Sequence, residues 1–425
     1  WKQGSGTDSS LLAFMMAVFS ANCFAQGGVS VISHGAVGDG EYDCTEAFRA
    51  AIAKASAEKS YVYVPRGNYA ISQTLELDNV GISGEPVGAW PSDVESLPSI
   101  LLKHSDSPGF RLLAGGSLRG LDITYRPKEK SDGNAAVLIS GIGVYIANMR
   151  IRYTWDGILT DGINNVGRLN IENVFIVAVR NVGVRVSGTW DVPRLNNIEV
   201  WNAAMGRGLE KGVGFHLLKN DLIRVTDCFA FGMGVGFLLE DKMEGSPIEG
   251  GTWGVMTGCS TDFCGTGVRV KGSHTVSVTG GTFWQHHRTL EVDGADARVR
   301  FTGAEIKSNG APAIVVNDAD HVVVTGCTIR REMENHDVPA VVLRGGSTTL
   351  SANHIISGAT GVAVYSGVRS AVIGNNTISS RKIPLWVDET LSRSRVSICG
   401  NLLLDSESGE AFVPECCSEK ETDKE

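Results

Sequence analysis

One corner, returning at a near-constant interval, constrains this chain more than any other feature. Gly, Asn or Asp stands at Gly120, Asn148, Asn173, Asn197, Asp227, Gly258, Gly280, Gly303, Gly326, Asn353, Asn375 and Asn401, with successive members 22 to 31 residues apart. These residue types tolerate left-handed backbone, because Gly has no Cβ and Asn or Asp can bond its own main chain. Positions one and three after the corner are mostly apolar or small, as in Leu121/Ile123, Met149/Ile151, Val174/Ile176, Ile198/Val200, Ala304/Ile306 and Leu402/Leu404. Positions two and four carry most of the polar and aromatic residues. Alternation of this kind means a strand, and a corner at a fixed offset before each strand means a coil that turns alike on every lap. A strand-based period of 20 to 30 residues is a solenoid signature. The pattern predicts an all-β, right-handed parallel β-helix of about a dozen coils. Propeller blades repeat at roughly 40 to 50 residues, and sandwich strands carry no such column in register.

At 425 residues and 42% apolar content the chain can bury a large core without dividing into separate compact domains. A net charge of −9 argues against nucleic acid as a partner. No stretch reaches the roughly 18 apolar residues of a membrane span. The apolar run Leu11 to Ala21, followed by Cys23-Phe24-Ala25, suits a signal peptide over residues 1–25, and hence a secreted or periplasmic protein. Residues 26–410 then form one β-helix domain, and 411–425 a charged, disordered tail. Of nine cysteines, Cys228, Cys259 and Cys327 follow the corner directly, where side chains point inward, so they read as small core hydrophobes. No cysteine spacing fits a metal site, and no cofactor is implied.

Residues 31–72 depart from the repeat. Asp43-Cys44-Thr45-Glu46 sets an N-cap ahead of a glutamate, and Ala47, Phe48, Ala51, Ile52 and Ala55 recur at helical spacing. A short helix laid over the first coil would hide the core that a solenoid otherwise exposes at its end. This stretch resembles the opening of the pectate-lyase superfamily, through Gly35-Ala36-Val37-Gly38-Asp39-Gly40, then Asp43, Thr45, Ala47-Phe48 and Ala51-Ile52, then Tyr63-Val64-Pro65-Arg66-Gly67-Asn68-Tyr69. It is similar to the same segment in polygalacturonase-like and rhamnogalacturonase-like hydrolases and in phage tailspikes. The resemblance implies the fold and a glycan substrate class, but not a reaction, since the superfamily hosts hydrolases, lyases, epimerases and adhesins. Leu159-Thr160-Asp161-Gly162 and Ile306-Lys307 are only fragments of the polygalacturonase set. The Asp-Asp and Gly-His-Gly elements are missing, as is the aspartate cluster of calcium-dependent pectate lyases, so no family's catalytic residues carry over.

Positions two and four after each corner share one outer face, where neighbouring coils stack as rungs roughly 4.8 Å apart. In chain order that face reads Arg150/Arg152, Phe175/Val177, Glu199/Trp201, Phe229/Phe231, Ser260/Asp262, Thr282/Trp284, Glu305/Lys307 and Thr328/Arg330, and ends on Ile355/Ser357 and Thr377/Ser379. Aromatic faces stack on pyranose rings, and paired carboxylates serve glycosidic cleavage. Asp262, Glu305 and Lys307 are therefore the candidate catalytic residues, and Glu199, Trp201, Trp284, His286 and Arg330 the candidate substrate-binding ones. Two rungs would separate Asp262 from Glu305, roughly 9 to 10 Å. His354 falls at an inward offset, Asp156 and Asp161 form a second carboxylate pair whose Asp-Gly step reads as turn chemistry, and Glu240 to Glu244 should form a loop beside the groove. The leading expectation is a glycoside hydrolase acting on a polysaccharide. A polysaccharide lyase would instead use Lys307 or Arg330 as base. A non-catalytic, tailspike-like binder is the third reading, and it leaves a homo-oligomer open.

Overall fold

The computed structural model describes residues 27–88, 96–125, 134–202, 211–331 and 337–411. Within them the chain winds as a parallel β-solenoid of about 14 turns with a single helix. The turns beyond the expected dozen belong to the entry segment, where Asn68–Ile71 pairs with Ser99–Leu102 and that strand pairs with Asp122–Tyr125. Each coil visits three sheets. A third-sheet strand leads into the corner, a first-sheet strand leaves it, and a second-sheet strand follows across a loop. Tyr145–Arg152 and Asn170–Val177 each hold a third-sheet and a first-sheet segment, with the corner between them. Register passes over the corner: Ala147 faces Glu172 before it, and Met149 faces Val174 after it.

The helix forms at Thr45–Ala57 and buries Ala47, Phe48, Ala51 and Ala55. Its start is held from just outside, where Asp43 Oδ1 accepts the Thr45 N–H at 3.0 Å. Phe48 packs edge-on to Tyr69 of the first coils, ring centroids 5.9 Å apart. Four aromatic residues along the interior also pair between coils, Phe215 stacked face to face on Phe237 at 4.7 Å and Phe283 edge-on to Phe301 at 5.0 Å. One hydrophobic cluster runs the length of the coil, and Cys228, Cys259 and Cys327 belong to it.

Positive φ occurs at Gly120, Asn148, Asn173, Asn197, Asp227, Gly258, Gly280, Gly303, Gly326 and Asn375, as the repeat predicts. Two corners differ. The left-handed residues there are Ala352 (φ 56°) and Gly400 (φ 64°), one position ahead of Asn353 and Asn401. The two asparagines turn inward instead, where their amides satisfy main-chain groups that the core would otherwise strand. Asn353 Oδ1 accepts the Cys327 N–H at 3.0 Å, Asn376 Oδ1 accepts the Asn353 N–H at 3.0 Å, and Asn401 Oδ1 accepts the Asn376 N–H at 3.0 Å. This shift by one exchanges faces in both coils, because side chains alternate. Ile355 and Ser357 are buried rather than on the outer face. His354, expected inside, is exposed, and Leu402 is half-exposed on the row where Thr377 precedes it.

Candidate functional site

The outer face of the first sheet carries two rows. One runs Arg150, Phe175, Glu199, Phe229, Ser260, and after Thr282 reaches Glu305. The other runs Arg152, Val177, Trp201, Phe231, Asp262, Trp284, Lys307, Arg330. Trp201, Asp262, Trp284, Lys307 and Arg330 thus share one row, while Glu199 and Glu305 stand on its neighbour. Asp262 and Glu305 lie diagonally, two rungs apart along the axis and two residues apart along the strand. Their Cα atoms are therefore roughly 11 to 12 Å apart, wider than the rung spacing alone gives.

Around Asp262 the face sinks into a concavity of about 270 Å³ lined by Asp262, Phe263, Trp284, Gln285, Lys307 and Asn309. Trp284 is 46% exposed, and the Lys307 ammonium sits 5.7 Å from its ring centroid. That contact keeps a cation at the edge of a stacking surface. Phe263, Gln285 and Asn309 were not foreseen from the sequence. Phe263 belongs to a second left-handed column that ends first-sheet strands at Tyr153, Ala178, Gly232 and Phe263. A bulky residue at φ 51° is unusual, and the corner swings its ring out to 49% exposure, with its N–H given to Asp262 Oδ1 at 2.8 Å. Gln285 is buried and tied by its amide to Thr261 O at 3.1 Å, so it fixes the floor.

An aromatic line approaches this concavity along the axis. Phe175 meets Trp201 at 6.0 Å, Trp201 meets Phe231 at 5.3 Å, and Phe231 meets Phe263 at 5.6 Å between centroids. Glu199 stands beside that line, and burial pushes its carboxyl above the usual carboxylate range. His286 follows on the strand Thr282–Thr302, and its side chain lies outside the described residues.

Asp156, Asp161 and Glu240 stand apart from this face. Asp161 is turn chemistry: its Oδ1 accepts the N–H groups of Ile163 and Asn164, both at 3.0 Å. Asp156 is buried on the second sheet, where it accepts Asn181 Nδ2 and the Val182 N–H, both at 2.9 Å. The loop after Glu240 does not flank the groove. Residues 241–250 fold back over the corner between the second and third sheets, where Ser246 Oγ donates to Gly162 O at 2.6 Å. Glu240 itself is held by His216 Nε2 and Lys271 Nζ, each at 3.1 Å, and its carboxyl falls to about 2. Among the described residues no helix is long and apolar enough to cross a membrane.

Residues 28–99 match the family model for rhamnogalacturonase A/epimerase, pectate lyase-like proteins, and residues 288–418 match that for the right-handed β-helix region. The first match covers the entry motif and its capping helix. Both matches are to pectate-lyase-like and right-handed β-helix models, the likeness that the entry motif and the repeat carry. A polygalacturonase of Cryptomeria japonica is 23% identical over 76% of the chain, and the chain spans 62% of that relative's length. Among solved structures, the A-module of a mannuronan C-5 epimerase from Azotobacter vinelandii aligns with a TM-score of 0.56 at 16% identity, over 87% of this chain and 99% of that one. The tailspike protein of E. coli bacteriophage HK620, in complex with a pentasaccharide, aligns with a TM-score of 0.55 at 9% identity, over 88% and 80%.

Proposed function

We propose that the protein is a secreted carbohydrate-active enzyme that cleaves glycosidic bonds of a polysaccharide by hydrolysis. The observation that carries the reading is the concavity in which Asp262, the exposed Trp284 ring and the Lys307 ammonium converge, at the end of the Phe175–Trp201–Phe231–Phe263 line. Trp201, Phe231, Phe263 and Trp284 hold the C–H faces of successive sugar rings, with the buried Phe175 supporting the start of the line. Asp262 and Glu305 flank the bond to be broken. Side chains reaching toward each other from a diagonal of roughly 11 to 12 Å enter the range of about 6.5 to 9.5 Å that inverting hydrolysis requires, with a water between the carboxyls. One carboxyl delivers a proton to the leaving oxygen while the other activates that water. Trp201 and Arg330 extend the binding surface on either side. Glu199, whose carboxyl burial raises above its ordinary value, stands beside the line within reach of sugar hydroxyls.

The likeness to a polygalacturonase and to the epimerase module supports a glycan substrate for this face. Incubation with a panel of polysaccharides tests the reading. New reducing ends without the ultraviolet absorbance of an unsaturated uronate mean hydrolysis. That absorbance would mean a lyase with Lys307 or Arg330 as base, and binding without either product would mean an adhesin.

A further inference from the structure

The third sheet carries a second strip of aromatic and cationic side chains, on a different face of the coil from Asp262 and Trp284. Trp190 and Trp253 are 48% and 43% exposed, with Leu222 at 43% between them. Thr189 pairs with Asn220 and Asn220 with Thr252, so the two tryptophans follow at the same place two coils apart, roughly 9 to 10 Å along the axis. Trp253 is fixed by its own indole, whose Nε1 donates to Asp221 Oδ1 at 3.1 Å. The column continues from Trp253 through Thr275 and Arg298 to His321. Beside it runs Arg194, Arg224, Val255, Ser277 and Arg300. Arg298, Arg300 and His321 line a shallow concavity of about 330 Å³ where the strip ends.

We propose that this strip binds an extended acidic polysaccharide, a chain of uronate sugars lying along the coil axis. Two tryptophans two rungs apart present stacking faces to alternate sugars of an extended chain, because a pair of linked pyranoses spans a similar length. Charge selects the acidic kind. The whole protein carries a net charge of −9, yet on this face Arg194, Arg224, Arg298, Arg300, Lys219 and His321 outnumber the carboxylates of Asp191, Asp221 and Asp320. Arg298 pairs with Asp320, but among the described residues Arg194, Arg224 and Arg300 form no ion pair. Arg194 and Arg224 occupy directly facing positions on adjacent coils, an arrangement that like charges disfavour and that a bound carboxylate relieves. A second copy of this chain fits the face less well, since self-association about a symmetry axis would bring these arginines against their own copies.

Affinity electrophoresis of the full chain through gels containing polygalacturonate, alginate or fully methyl-esterified pectin tests the inference, which does not depend on the reading of the first sheet. The wild type should be retarded by polygalacturonate or alginate and much less by the neutral ester. Trp190→Ala with Trp253→Ala, and separately Arg194→Ala with Arg224→Ala, should each weaken retention about tenfold at unchanged melting temperature. In a Trp284→Ala background, which removes the first-sheet stacking ring, each double variant should still weaken retention about tenfold. The inference is overturned if neither acidic polymer retards the wild type, or if both double variants migrate as their parents do. Sedimentation velocity showing an oligomer that the tryptophan variant dissociates would also overturn it, by assigning the strip to self-association.

Discussion

Asn376→Ala removes the middle rung of the interior amide ladder, and the structure sets the expected cost. Asn376 is 1% exposed. Its Oδ1 accepts both the Asn353 N–H and Asn353 Nδ2 at 3.0 Å, and its Nδ2 donates to Leu350 O at 3.0 Å and to Asn401 Oδ1 at 2.9 Å. Alanine leaves the Asn353 backbone N–H buried with no acceptor, a loss of about 1 to 3 kcal/mol. Of the other three bonds, one releases Leu350 O and two involve groups that keep a second partner, because Asn353 Nδ2 still reaches Val324 O at 2.9 Å and Asn401 Oδ1 still accepts the backbone N–H of residue 376. Each then contributes nearer the lower end of the net value of a hydrogen bond, about 0.5 to 1 kcal/mol. The total is about 2.5 to 6 kcal/mol. In a solenoid each coil depends chiefly on its neighbours, so the loss should stay in the C-terminal coils. Native-state hydrogen exchange reads this directly. Amides of Gly346–Ser351 and Val368–Gly374 should lose protection by that amount, while those of Ser260–Lys271 keep theirs. A loss under about 1 kcal/mol, or an equal loss along the whole coil, would refute the ladder's assigned role.

Asp262→Asn and Glu305→Gln should each lower turnover on the cleaved polysaccharide by at least about a hundredfold with unfolding midpoints unchanged, since both point away from the core; full activity in both variants would show that the reacting carboxylates lie elsewhere. Trp284→Ala should raise KM more than it lowers kcat, because a stacking surface holds ground and transition states alike, and a pure kcat effect in steady-state kinetics would contradict that. Stability should fall in acid. Glu240 titrates at about 2 in the folded chain against the ordinary carboxylate value, so its contribution is present above about pH 4.5 and fades as pH drops toward its folded value. Burial likewise lowers His274, which adds a loss as pH falls below about 6.5 because only the unfolded chain then takes up its proton. Urea unfolding between pH 7 and pH 3 should show the decline, flattened at the acid end by Glu240→Gln.

The corner column was legible because few residue types accept left-handed backbone, and the two-row face followed from a period of two. The same preference misled at two coils. Where Ala352-Asn353 and Gly400-Asn401 offered a choice, Asn looked like the turn residue, although the core had a stronger use for its amide. His354 changed sides for that reason alone. Phe263 was invisible because nothing in Asp262-Phe263-Cys264 marks a left-handed residue; the corner there is imposed by the coils stacked beneath it. The Asp262–Glu305 separation was underestimated because offsets two and four were merged into one face, whereas the strand sets them in separate rows. Third-sheet side chains such as Trp253 and Arg224 stand five and three residues before their corners, offsets that repeat at Thr275, Arg298 and His321 and at Arg194, Val255, Ser277 and Arg300, so this alignment was legible too and was missed because only the residues after the corner were followed.

The six described cysteines are all free thiols, five of them buried and Cys399 exposed. Burial drives Cys259 and Cys264 up to about 12, so almost none of either exists as the thiolate that reacts with alkylating reagents near neutral pH. Cys44 lies at the capping helix, Cys228, Cys259 and Cys264 in the middle coils, and Cys327 at the head of the amide ladder. The chain therefore carries its own reporters, graded by position from one end of the coil to the other. Mass-spectrometric timing of their alkylation under mild denaturant would give the order in which the coils separate.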